Sequence, residues 1–134
     1  MSCRLLYLIG DLGRGGAERQ LYLLLKNIDR KRFRPQVVSW SFSENDRYAS
    51  LIRALDVPIH GFPKSISTAA KMRRFRRLVL EIKPEVLHSY IFYLNVAAQC
   101  VTFGTNAIAI GSIRCDFLSE RQEAGLVRGN LSAQ

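Results

Sequence analysis

The chain has 134 residues, 20 Lys and Arg against 11 Asp and Glu, and a formal net charge of +9. With 48% apolar residues it is too hydrophobic for a disordered tail, and a chain this long buries roughly two thirds of its unfolded surface as one self-sufficient unit. No apolar run approaches the ~20 residues of a bilayer span.

Five strands and four helices alternate along the chain. Leu5–Ile9 is a short continuous apolar run stopped by Gly10 and Asp11. Such a run suits a strand covered on both faces, and it is shorter than the roughly 7–15 apolar residues of a secretory signal. Ala17 to Ile28 places Leu21, Leu24, Leu25 and Ile28 on one helical face. Val37–Trp40 is the second strand, and Asp46 can cap a helix running through Tyr48, Leu51, Ile52 and Leu55. Pro58–His60 is a weaker strand. Ser67 or Thr68 can cap the next helix, which carries Met72, Phe75, Leu78, Val79 and Ile82 inward and ends before Pro84. Val86–His88, a helix over Leu94–Phe103 closed by Gly104, and Ala107–Ile110 complete the series. This alternation predicts an α/β fold: an open parallel, Rossmann-like sheet of about five strands with helices on both faces. Residues 1–115 form that domain. The polar tail 116–134, broken by Gly125 and Gly129, reads as a helix fragment cut short.

Three cysteines, Cys3, Cys100 and Cys115, stand far apart, and only His60 and His88 accompany them. No zinc-ligand spacing results, so no metal is expected and the chain reads as reduced and cytoplasmic.

The positive charge is concentrated. Lys64, Lys71, Arg73, Arg74, Arg76, Arg77 and Lys83 face a single acid, Glu81, giving that stretch +6 and leaving the rest only +3. On a helical wheel Arg73, Arg76, Arg77 and Lys83 lie opposite the apolar side. A solvated surface face is the plain reading. The sharper one makes Lys71, Arg73, Arg74, Arg76 and Arg77 a patch for an anionic membrane surface, since each cation near such lipid gains roughly 1 kcal/mol. Nucleic acid is the weaker competitor, because no exposed aromatics interleave the cations for base stacking.

Two further places carry chemistry. Gly10-Asp11-Leu12-Gly13-Arg14-Gly15-Gly16-Ala17-Glu18 follows a strand and opens a helix, where backbone amides attract anions. Glu18 stands where a dinucleotide fingerprint needs its third glycine, and no Lys-Ser/Thr completes a P-loop. A glycine-rich turn without a ligand is the alternative. His88 falls at the carboxyl end of the fourth strand, where it could meet a phosphate or sugar hydroxyl, or serve as a structural histidine.

These segments together resemble the N-terminal domain of GT-B-fold retaining glycosyltransferases of family four. Leu5–Ile9 followed by Gly15-Gly16-Ala17-Glu18-Arg19-Gln20-Leu21 is similar to the family's opening strand, Gly-Gly-x-Glu turn and helix. Leu55-Asp56-Val57-Pro58-Ile59 is similar to its Leu-x-Gly-Val-x-Val, with Asp56 at the usual glycine. Leu78 to Ser89 is similar to its basic helix and Pro-Asp-Val-Val-His segment, with Asn95 also in place. The resemblance spans Leu5 to about Arg114. It implies that Gly15 and Gly16 approach donor phosphate or acceptor, and that His88 lines the pocket as the catalytic-site candidate. Tyr90 stands at the second histidine of the family's His-x-His.

The resemblance also implies a second, donor-binding domain carrying two glutamates separated by seven residues, so that their positions differ by eight. The glutamates at 18, 44, 81, 85, 120 and 123 contain no such pair. The expected role is therefore the acceptor-side half of a transferase, a fragment inactive alone, with a nucleotide-sugar as donor substrate and no cofactor. Its partners would be a glycan or lipid-linked acceptor, the missing C-terminal domain, and the inner face of a membrane. Two rivals remain: a non-enzymatic module that binds a polyanion, and a small NAD-dependent oxidoreductase. The second is weakened by the missing glycine and by the lack of an acid at the end of the second strand.

Overall fold

A computed structural model describes residues 2–113. The tail expected over 116–134, with Cys115, lies outside the described residues. The elements run β1 (Cys3–Ile9), α1 (Gly16–Asn27), β2 (Phe33–Phe42), α2 (Arg47–Arg53), β3 (Ile59–Pro63), α3 (Thr68–Ile82), β4 (Val86–Ser89), α4 (Phe92–Thr102) and β5 (Ile108–Gly111). Every strand pairing is parallel, and the spatial order is β3-β2-β1-β4-β5. The expected five-stranded Rossmann-like sheet is what the chain forms.

Alternate residues of β1 divide the core. Tyr7 and Ile9 face Leu21 and Leu25 of α1 and Ala49 and Ile52 of α2. Leu6 and Leu8 face the other way, toward Phe75 and Val79 of α3 and Leu94, Ala98 and Val101 of α4. Burying both faces explains why β1 reads as a continuous apolar run. Trp40, Phe62 and Phe75 interlock edge to face at centroid separations of 6.0–6.2 Å, the geometry favoured by the ring quadrupoles.

Strand β2 begins four residues earlier than its apolar run, at Phe33, and passes through Pro35. The Val37 amide donates toward β3, to the Pro58 carbonyl, so the Pro35 nitrogen points the same way. Strand β3 begins only opposite Val37, and the missing proline donor therefore meets no partner strand.

Helix boundaries follow local chemistry. The Ser67 hydroxyl accepts the Ala70 amide at 3.2 Å as the N-cap of α3. Asp46 sits at the N-cap of α2 but does not cap it with its side chain. Its carboxylate accepts instead from the Ser43 and Leu12 amides, at 3.1 and 3.4 Å. Helix α4 ends at Thr102, and Gly104 takes the left-handed conformation that follows, at φ 74°. Two non-glycine residues do the same: Lys83 after α3 (φ 52°) and Asp56 before β3 (φ 59°).

Candidate functional site

Strands β1, β2 and β3 lead one way with α1 and α2 on one face. Strands β4 and β5 lead the other way with α3 and α4 on the opposite face. The direction reverses between β1 and β4, and ligands of open α/β sheets bind outside the carboxyl ends of strands at such a point. The β1–α1 loop stands there. Gly10 is buried and its carbonyl accepts the Ser41 amide at 2.7 Å. A Cβ at position 10 would lie 2.9 Å from Ile91 Cδ1 and 3.0 Å from the Tyr93 hydroxyl, so a larger residue would require these side-chain ends at the α4 entry to shift. Leu12 is fully buried, and its carbonyl accepts the Tyr48 amide at 2.9 Å. The loop is thus pinned to β2 on one side and α2 on the other.

The start of α1 is acidic. Gly15 is its N-cap, and the Glu18 carboxylate folds back so closely that a Cβ at position 15 would collide with it. Gly16 faces open space. Burial, then the neighbouring carboxylates of Asp11 and Asp46, push Glu18 above the usual carboxylate range, while its own backbone N–H pulls it down. Asp11 also accepts the Gly13 amide at 2.9 Å. Three carboxylates therefore surround the loop where the sequence suggested phosphate contact. Such a rim repels a phosphate but accepts hydrogen bonds well from hydroxyl groups. The sequence places Asp46 at a helix cap and not on this loop, because it reaches Leu12 from another connection, 34 residues along the chain.

His88 lies on β4 beside Tyr7 of β1. Its Nε2 and the Ser112 Oγ share a hydrogen bond of 2.7 Å, and its ring lies 4.8 Å from Tyr90 and 5.8 Å from Tyr7, centroid to centroid. Asn95 of α4 holds the same strand ends together, donating to the Ser112 carbonyl at 3.3 Å. Tyr90 is buried against Tyr7, whose hydroxyl is pushed up to about 12, chiefly by burial. The described partners of His88 belong to β4, β1 and the end of β5, whereas those of Gly15 belong to the α1 entry. The two candidates lie at the ends of adjacent strands, β4 and β1.

The basic helix departs from its helical wheel. Lys71 is only 6% exposed, so it does not belong to an outward patch. Its Nζ lies 5.6 Å from the Trp40 ring centroid and donates to Ser41 Oγ at 3.4 Å. Arg76 is half-buried, and its Nη1 donates to the Val101 and Phe103 carbonyls, both at 2.6 Å, closing the end of α4. Arg73, Arg74 and Arg77 remain exposed. Arg74 and Arg77 border a shallow groove of about 250 Å³ with His60 and Glu81. His60, which the motifs did not single out, pairs its Nε2 with Gln36 Oε1 at 2.7 Å, and burial holds its pKa down.

Among the described residues no three His, Cys, Asp or Glu side chains come together as a metal site, and no helix is long and apolar enough to cross a membrane. A cavity of about 320 Å³ lies at the opposite, amino end of the sheet, beside Arg4, Lys83 and Glu85. It is remote from the switch point.

No family model matches the chain, and no curated protein matches it. A solved structure from Listeria monocytogenes, assigned as a UDP-N-acetylglucosamine 2-epimerase, is similar with a TM-score of 0.63 and 15% identity. The match covers 94% of this chain and 37% of that one, so the chain spans little more than a third of that protein's length. At this identity the likeness establishes the architecture: a five-stranded, all-parallel, Rossmann-like α/β domain.

Proposed function

We propose that the chain is the acceptor-side half of a sugar-nucleotide enzyme, a glycosyltransferase that moves a glycosyl group from a nucleotide diphosphate donor to an acceptor hydroxyl. The observation that carries this reading is the rim of Asp11, Glu18 and Asp46 around the glycine loop at the topological switch point. Carboxylates there accept hydrogen bonds from the hydroxyls of a sugar acceptor and disfavour the donor's diphosphate. The donor then belongs to a second domain, as in the resemblance to family-four enzymes, and the similar sugar-nucleotide epimerase supports the same architecture. Gly16 leaves open space in which an acceptor can approach the backbone. His88, held by Ser112, orients a hydroxyl at the neighbouring strand end and is not assigned as general base. The chain alone transfers no sugar, because stabilisation of the leaving diphosphate has to come from outside it.

Kinetics of the intact enzyme test the assignment. Gly16→Leu, which fills the open space, and Glu18→Gln raise the acceptor KM with the donor KM unchanged. His88→Ala lowers kcat. Unchanged acceptor KM and turnover in all three would remove these residues from the site.

The three exposed arginines favour a second reading, a module that rests on an anionic membrane through α3. Arg73, Arg74 and Arg77 carry it, without Lys71 and Arg76.

A further inference from the structure

Lys71 is the cation that the proposed reaction leaves unused. It projects from the first turns of α3 toward the carboxyl end of β2, and its Nζ lies over the Trp40 indole, 5.6 Å from the ring centroid. Lysines are rarely this buried without a carboxylate partner. Among the described residues Lys71 has no such partner; the ion pair they contain is Arg53 with Glu44. Its neighbours are a hydroxyl, Ser41 Oγ at 3.4 Å, and a second cation, Lys64; burial first, and then Lys64, lowers its pKa. An ammonium has three protons to donate, and one long contact to a serine leaves that capacity largely unfilled. Only 6% of the residue remains exposed.

The same indole forms the wall of a groove. Between α3 and α4 a cleft of about 400 Å³ opens, lined by Trp40, Met72, Tyr93, Leu94, Val96 and Ala97, among others. Its lining is mainly apolar. One ring therefore joins a cation that has no carboxylate partner among the described residues to an apolar channel at the carboxyl end of the sheet. A purely structural lysine needs no adjoining groove, and an apolar ligand alone needs no cation.

We propose that Lys71 and Ser41, with the Trp40 groove, bind an amphiphilic anion: a phosphate or carboxylate head on Lys71 and Ser41, and an apolar body along Trp40, Met72 and Tyr93. The site needs only this chain and stands apart from the glycosyl-transfer reading. Loss of one would leave the other intact.

Trp40 is the sole tryptophan of the chain, so its emission reports the site directly. The 134-residue chain is titrated with hexyl phosphate, hexanoate, hexanol and inorganic phosphate. Hexyl phosphate changes the emission saturably, and hexanol and inorganic phosphate each need at least about tenfold more, because each supplies one half of the contact. Lys71→Met, which keeps the apolar stem, weakens hexyl phosphate by about tenfold or more and leaves hexanol unchanged; Lys71→Arg retains binding. Arg74→Gln, on the exposed face, has no effect. Hexanoate binding at or above the affinity of hexyl phosphate assigns a carboxylate ligand, and weaker binding assigns a phosphate. Far-ultraviolet circular dichroism verifies that each variant is folded. Absence of a saturable change, equal affinity in folded Lys71→Met, or inorganic phosphate binding as tightly as hexyl phosphate would overturn the proposal.

Discussion

The Glu18 carboxylate folds back over Gly15, filling the space that a side chain at position 15 would need. A helix N-terminus that could attract an anion is thereby answered from within its own first turn, since Glu18 also accepts its own backbone N–H. The glycine loop consequently presents carboxylate rather than bare amides to the crevice.

A pH dependence follows from that placement. The folded chain holds Glu18 protonated to higher pH than the unfolded chain does, so between the two values it binds more protons. Stability then falls as pH rises through that window and stays lowered above it. Glu18→Gln removes the effect. Urea unfolding should show the variant equal to the parent below the ordinary carboxylate range and more stable at neutral pH, by less than about 1 kcal/mol because solvent screens this half-exposed site. A variant less stable at neutral pH would contradict the crowding of Glu18, Asp11 and Asp46.

Lys83 and Asp56 adopt left-handed backbone at φ 52° and 59°. The conformation costs a residue with a Cβ on the order of 1 kcal/mol, least for Asp. Lys83→Gly should therefore raise stability by about 1 kcal/mol, and Asp56→Gly by a few tenths. Both substitutions leave intact the carbonyl contacts at these turns, from Arg4 Nε to the Lys83 oxygen and from Arg30 to the Asp56 oxygen. Thermal unfolding measures the gain.

Arg76 closes α4 through two carbonyl contacts from a half-buried guanidinium. Arg76→Met keeps part of the stem packing but leaves those carbonyls without this donor, and should cost about 2 kcal/mol in urea unfolding. Arg73→Met and Arg77→Met, on the exposed face, should each change stability by less than about 0.5 kcal/mol. Equal effects at all three positions would refute the division of the basic helix.

Vesicle co-sedimentation separates those same residues by function. The exposed Arg73, Arg74 and Arg77 carry the membrane reading, and their joint replacement by Glu should abolish retention on anionic vesicles while Lys71→Met leaves it unchanged. Retention that survives the triple replacement would dismiss α3 as the contact.

Much of the architecture was legible in the residues because it rests on local patterns. Continuous apolar runs marked β1 and β2, which are buried on both faces, although the run at β5 leaves Ile108 and Ile110 exposed; Ser67 marked the start of α3, and Pro84 its end. The position of Asp56, where the resembling family carries glycine, proves to be a left-handed turn, which gives that glycine a physical reason. What could not be read depends on distant partners. Strand β2 extends back to Phe33 through Arg34, Pro35 and Gln36 because β1 alone covers its first residues. The run of cations from Lys71 to Arg77 includes Lys71 by its charge, yet this lysine lies buried with its Nζ over the Trp40 ring. Arg76 finds its carbonyls 25 and 27 residues away. The acidic rim of the glycine loop needed Asp46 brought over from the β2–α2 connection.

The central claim is most directly tested by following a labelled nucleotide-sugar through turnover by the intact enzyme, with and without a hydroxyl acceptor. Label transferred to the acceptor, with the acceptor KM raised by Glu18→Gln, is the predicted result. Conversion of the nucleotide-sugar to another nucleotide-sugar without any acceptor would contradict the account and make the enzyme an epimerase.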